Sequence, residues 1–170
     1  MNTSDILIDA YQRIQGLVHT ITDGLDDRAI AYRPGSDANS IGWLIWHLTR
    51  VQDDHVSEIA DRTQAWVDDG WAERFGMEPD PAETGYGHTS QQVAAVHPAA
   101  DLLRTYHDAV HARTVEYLSG IDPEELDRII DDQRDPPVSV GVRLVSVIGD
   151  DLQHAGQAAY VRGLLEGIEL

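Results

Sequence analysis

Apolar residues recur three and four positions apart through four long stretches of this chain. That periodicity commits the chain to amphipathic helices that must pack on one another. The first stretch runs from about Ser4 to Leu25, with Leu7, Ala10, Tyr11, Ile14, Leu17, Val18, Ile21 and Leu25 as its apolar residues and Thr3 or Ser4 as its cap. The second starts after Asn39 or Ser40, either of which can accept the first free N–H groups, and continues to about Asp61. Its stripe is Ile41, Leu44, Leu48, Val51 and Ile59. The third starts near Pro98, a favoured first-turn residue, and stops at Gly120. The fourth runs from about Ser139 to Gly163–Gly167, with Leu144, Val147, Ile148, Ala155, Ala158 and Leu165 facing inward. Four such helices read as an all-α four-helix bundle.

The 170 residues suit one domain spanning 1–170. Two connections are long. Residues 62–97 carry Trp66, Trp71, Phe75 and Tyr86 among many Gly and Pro, with a short helix expected near Ser90–Val96. A structureless connection of that length is unusual inside a domain, so these aromatics are expected to pack down. Residues 121–138 hold a helix-start signal at Asp122-Pro123-Glu124-Glu125 and a break at Asp135-Pro136-Pro137.

Composition removes several function classes. There are 21 Asp and 9 Glu against 12 Arg and no Lys, for a net charge of -18. Nucleic acid and anionic membranes would repel such a chain, so neither is an expected partner. The absence of Cys excludes disulfides, thiolate metal ligands and a protein-thiol nucleophile. No apolar run approaches the roughly 18 residues of a membrane span. Residues 1–25 lack the basic-then-apolar pattern of a signal peptide, so the expected location is cytoplasmic.

Three side chains attract a chemical reading. His47 sits in the apolar second helix between Trp46 and Leu48, and alone it reads as a hydrogen-bonded core histidine. Asp150 and His154 are four apart on the fourth helix, so they project from one face. An Asp and a His directed into a core are costly unless paired or bound to a cation. Spacing alone leaves two readings open: an Asp–His pair, or a metal site completed by His47 with positions left for water or substrate. His107 and His111 repeat the spacing on the third helix but lie at the margin of its stripe, beside Asp108 and Arg104, and read as rim residues. His88, in Gly85-Tyr86-Gly87-His88, could reach over a site. No phosphate-cradling loop and no G-x-S-x-G elbow is present.

At NSIGWLIWHLTR and DDLQHAGQ the chain resembles the DinB-like metalloprotein superfamily. Its members are four-helix bundles in which a His on the second helix and an H-x-x-x-H pair on the fourth bind a divalent metal. The resemblance covers the whole chain, and the run His154-Ala155-Gly156-Gln157 is its most specific part. It carries the metal role onto His47 and His154, and Asp150 stands where the usual middle His would be. The N-terminal domain of mycothiol-dependent maleylpyruvate isomerase also has an acidic residue at that place. Its isomerase reaction uses a further domain and is not carried over. The single-domain length is closer to the mycothiol S-transferases of the same superfamily.

The resemblance therefore implies a divalent-metal-dependent transferase. His47, Asp150 and His154 would hold the metal, Zn²⁺ first, with Ni, Mn or Fe as alternatives. A low-molecular-weight thiol of the mycothiol type would be joined to a small electrophile. A free alkyl thiol is mostly protonated at neutral pH, and metal coordination deprotonates it. Asp54, Asp151 and Gln157 are the candidates for orienting the ligands. Trp66, Trp71 and Tyr86 are expected to shape the electrophile pocket. Two other functions stay open: a hydrolase using metal-bound water, with Asp54 or His88 as base, and a non-catalytic metal- or small-molecule-binding stress protein. Apolar helical surfaces together with the resemblance make a homodimer an expectation.

Overall fold

The computed structural model describes residues 2–167 and places four long helices where the periodicity predicts them. These are α1 (Thr3–Thr22), α3 (Ile41–Ile59), α7 (Ala100–Ser119) and α8 (Val140–Glu166), with α2 (Asp27–Ala31) as one short turn between the first two. The cap of α1 is Asn2 instead of Thr3 or Ser4. Its side chain accepts from the Asp5 amide while the Asp5 carboxylate accepts from the Asn2 amide, 2.8 Å each. Ser40 and Ser139 cap α3 and α8, as expected from their hydroxyls.

In cross-section α3 packs on α7 and α8, and α1 packs on the same two helices. Two apolar clusters fill the bundle. One holds Leu7, Tyr11 and Ile14 with Val56, Ile59, Leu118 and Leu144. The larger one holds Val18 and Ile21 with Trp46, Leu48, Tyr106, Val110, Ala155 and Ala158.

Helix α3 is buried on nearly every face, unlike an ordinary outer helix. The cause is the 62–97 excursion, which folds over the side of α3 that the bundle leaves bare. It contains α4 (Ala65–Asp68), α5 (Trp71–Arg74) and α6 (Ser90–Ala95). Only the third of these short helices is legible in the periodicity. Trp66 is fully buried against Trp46, Phe75 and Tyr106, and Trp71 packs on Tyr106. These two indoles are core, so the expectation that they line a substrate pocket is corrected. Tyr86 is 93% exposed and so stands clear of the packed loop.

A buried ion pair fastens the excursion. Asp53 accepts from the first amides of α4, Ala65 and Trp66, at 2.9 and 2.8 Å, and from the Tyr106 hydroxyl at 2.8 Å. Arg50, with no exposed surface, donates to the carbonyls of Pro81 and Glu83 and to Gln64 Oε1. A buried guanidinium is costly unless its donors are satisfied, and here the loop backbone satisfies them.

Residues 121–138 form a single 3₁₀ turn (Pro123–Asp127) and then a small antiparallel hairpin. Its strands are β1 (Ile129–Asp131) and β2 (Val138–Ser139), with Ile129 opposite Ser139 and Asp131 opposite Val138. The predicted break at Asp135-Pro136-Pro137 is the tip of this hairpin. None of the described helices is long and apolar enough to cross a membrane.

Candidate metal centre

His47 reaches the site from the middle of α3, and Asp150 and His154 reach it from successive turns of α8. Their ligand atoms, one per residue, all lie within 4.8 Å of one another. The structure thus brings together all three side chains singled out in the sequence.

Each histidine is oriented by a hydrogen bond from the nitrogen that does not face the cluster. His47 Nδ1 donates to the Thr84 carbonyl at 2.5 Å. His154 Nδ1 donates to Gln157 Oε1 at 3.1 Å. In both rings the proton is fixed on Nδ1, so Nε2 keeps its lone pair, as a metal ligand requires. Burial holds the His47 pKa below its usual value, and the neighbouring His154 adds to that, while the Thr84 carbonyl and Asp150 act in the opposite sense. A neutral imidazole at this position is ready to ligate.

Asp150 Oδ1 and His154 Nε2 are 3.7 Å apart. That is too long for a hydrogen bond and close to the spacing that two donors adopt around one small divalent ion. Asp150 Oδ2 is buried with no hydrogen-bond partner among the described residues. A carboxylate with one buried, unpartnered oxygen, clustered with two imidazole lone pairs, is unfavourable without a cation among them. The residues present therefore fit a divalent metal.

The 62–97 excursion closes one side of the cluster. Gly85 has φ of +86°, and a Cβ there would lie 2.7 Å from Trp46 Cζ3 and 3.3 Å from His47 Nδ1. Only glycine lets the loop pass this close and set the Thr84 carbonyl on His47. Trp43 stacks on His47, with ring centroids 4.6 Å apart, and donates its indole N–H to His88 Nδ1 at 3.1 Å. His88 Nε2 donates in turn to Glu83 Oε1 at 2.9 Å. His88 thus sits behind Trp43 and stacks on Trp46 instead of hanging free over the site.

Of the three candidates for orienting the ligands, Gln157 holds His154 directly. Asp54 accepts from Gln64 at 2.7 Å and lies beside His55. Asp151 is fully buried on the stripe of α8 that carries Val147 and Ala155, and neither of its oxygens has a partner among the described residues. Burial and then the Asp150 charge push its pKa well above the usual carboxylate range. Neither Asp54 nor Asp151 is hydrogen-bonded to the triad among the described residues. Thr84, Gly85 and Arg50 were missed in the sequence. Arg50 left one signal there, a positive charge just after the apolar run 41–48 and three residues before Asp53.

His107 and His111 are not rim residues. His107 is fully buried and His111 is 7% exposed, which corrects the sequence expectation. The turn of α7 that carries them faces the bundle, because Tyr106 and Val110 continue the buried stripe on both sides.

A model of the mycothiol-S-transferase family matches residues 7–167. A crystal structure described as a conserved protein from Enterococcus faecalis superimposes with a TM-score of 0.91, at 32% identity and 99% coverage of both chains. Among proteins of curated function, none matches the chain.

Proposed function

Because this chain belongs to the mycothiol-S-transferase family, of the DinB-like kind, we propose that it joins a low-molecular-weight thiol of the mycothiol type to a small electrophile at one divalent metal. The observation that carries the reading is the convergence of His47, Asp150 and His154 within 4.8 Å.

The donor set is two neutral imidazoles and one carboxylate, which favours Zn²⁺ first and leaves coordination positions for a substrate. A divalent metal bound there would supply the Lewis acidity that lowers a thiol's pKa and favours the nucleophilic thiolate. The protein's own residues then have three tasks. Thr84 and Gln157 hold the imidazoles in the tautomer that binds metal. Trp43 and Trp46, with His88, close the inner wall of the site against water. The chain contributes no Cys, so no protein thiol competes for the metal or the electrophile.

We further infer a single cytoplasmic domain working as a homodimer. The exposed apolar side chains Val145, Leu152 and Tyr160 along α8 support the pairing.

The test is turnover of the metal-loaded protein with a panel of alkyl halides and epoxides, with and without mycothiol. Conjugation that requires both thiol and metal is the expected result. Metal-dependent turnover that ignores the thiol would mean a hydrolase. No turnover with stoichiometric metal retained would mean a binding protein.

A further inference from the structure

Beside the triad lies a cleft of about 350 Å³ with Asp150 in its wall. It is bounded by α3 through Val51 and His55, by the hairpin through Arg134 and Val138, and by α8 through Arg143 and Asp150. Arg143 and Asp150 are seven residues apart, so they share a face of α8 about 10 Å apart along its axis. One end of the cleft is therefore a metal-ligand carboxylate and the other a guanidinium. Valines lie between them.

Arg143 is held in place. Its Nη1 donates to His55 Nδ1 at 2.7 Å and to Glu58 Oε2 at 2.9 Å. Its Nε and Nη2 have no hydrogen-bond partner among the described residues, although the side chain is only 18% exposed. His55 accepts this bond; burial and then the Arg143 charge hold its pKa below the usual value, while Asp54, Glu58 and Asp150 act in the opposite sense. This leaves a fixed guanidinium with two donors to spare, the geometry that pairs with a carboxylate. The setting makes it selective. With a net charge of -18 the molecule as a whole repels anions, so an anionic substrate needs local cations to enter. Arg134, exposed on the hairpin tip, is paired with Asp131 of the same wall at 3.5 Å, which leaves Arg143 as the cation that can receive the anion.

We propose that this cleft binds the electrophilic substrate, and that the substrate is a carboxylate-bearing molecule with a flat apolar body about one ring long. Its carboxylate pairs with Arg143, and its reacting carbon lies at the Asp150 end, beside the triad. The proposal rests on the thiol-transfer reading for the identity of its occupant, but the carboxylate site is testable without turnover.

Metal-free protein is titrated with 4-methylbenzoate and with the neutral 4-methylbenzamide, and the Val51 and Val142 methyl resonances are followed. The acid should bind at least about 10-fold more tightly than the amide and shift those methyls. Arg143→Gln should remove the preference, and Arg143→Lys should restore part of it with the helical circular dichroism unchanged. Equal binding of acid and amide, or a preference that survives Arg143→Gln, overturns the proposal.

In the second arm, metal-loaded protein receives mycothiol with 4-(chloromethyl)benzoate or its amide. The thiolate sulfur forms a C–S bond to the benzylic carbon as the C–Cl bond breaks. Chloride leaves with the electron pair, and the thiol proton goes to water. Faster conjugation of the acid, relative to the uncatalysed rates, is expected. Arg143-dependent binding with no conjugation of either compound would sink thiol transfer and leave the carboxylate site standing.

Discussion

Helices α7 and α8 each present two side chains four residues apart with the chemistry of half a metal site: His107 and His111 on one, Asp150 and His154 on the other. On α8 the pair meets His47 from α3, and each imidazole has an acceptor for its outer nitrogen. On α7 the rings stack at 6.4 Å with 16° between planes, and no third ligand joins them among the described residues. Both His107 nitrogens are buried without a hydrogen bond among the described residues, and neighbouring Asp108 is engaged by Gln15 and His19. Burial pushes the His107 pKa down to about 3, with His111 adding to the effect. Spacing of four along a helix thus supplies half a site. What makes the rest is a third donor from another helix and an orienting partner behind each ring.

The sharpest way to break the comparison is His154→Ala. It should abolish stoichiometric metal binding while the helical circular dichroism stays unchanged, and retained metal would refute the assignment. Next comes Gly85→Ala, which forces the loop away from Trp46 and moves the Thr84 carbonyl off His47. Metal affinity measured by competition with a chelator should fall about 10- to 100-fold, the usual cost of losing an orienting partner. Gln157→Leu removes the corresponding bond on His154, which is less buried, and should cost about 10-fold in the same titration. A full-strength site in either variant would mean that the orienting bonds are incidental.

His107→Leu should leave metal content untouched, and its effect should appear in stability instead. His107 stays neutral in the fold down to about pH 3, whereas in the unfolded chain it takes up a proton near pH 6.5. The unfolded state therefore binds more protons in that window. Stability falls as pH drops from about 6.5 toward 3, by up to ~1.4 kcal/mol per pH unit from this group. Urea unfolding of metal-free protein at several pH values should show a shallower acid slope in His107→Leu. An unchanged slope would mean that His107 finds a partner on folding.

The four long helices were legible because each buries a stripe at the helical period. The Asp150–His154 half of the site was legible because both residues fall on one helix. The pairing of that half with His47 came from the resemblance carried by NSIGWLIWHLTR and DDLQHAGQ, because spacing alone left an Asp–His pair equally open. The burial of His107 was misread because a stripe seen in sequence has soft edges, and the bundle partners decide which margin is covered. The hairpin escaped because strands of three and two residues are too short to show alternation. Thr84 and Gly85 escaped because their role is a tertiary approach: a carbonyl delivered by a loop that Arg50 and Asp53 fasten from α3. Trp66 and Trp71 were visible as aromatics, but only the packing on Tyr106 makes them core.

The central claim is that His47, Asp150 and His154 form one metal centre. Elemental analysis of protein purified without an affinity tag, wild type beside Asp150→Ala, tests it most directly. The account predicts about one equivalent of a divalent transition metal in the wild type and its loss in the variant. Wild-type protein that stays metal-free after incubation with Zn²⁺, Ni²⁺, Mn²⁺ or Fe²⁺ would contradict it and reduce the cluster to an Asp–His pair against the bundle.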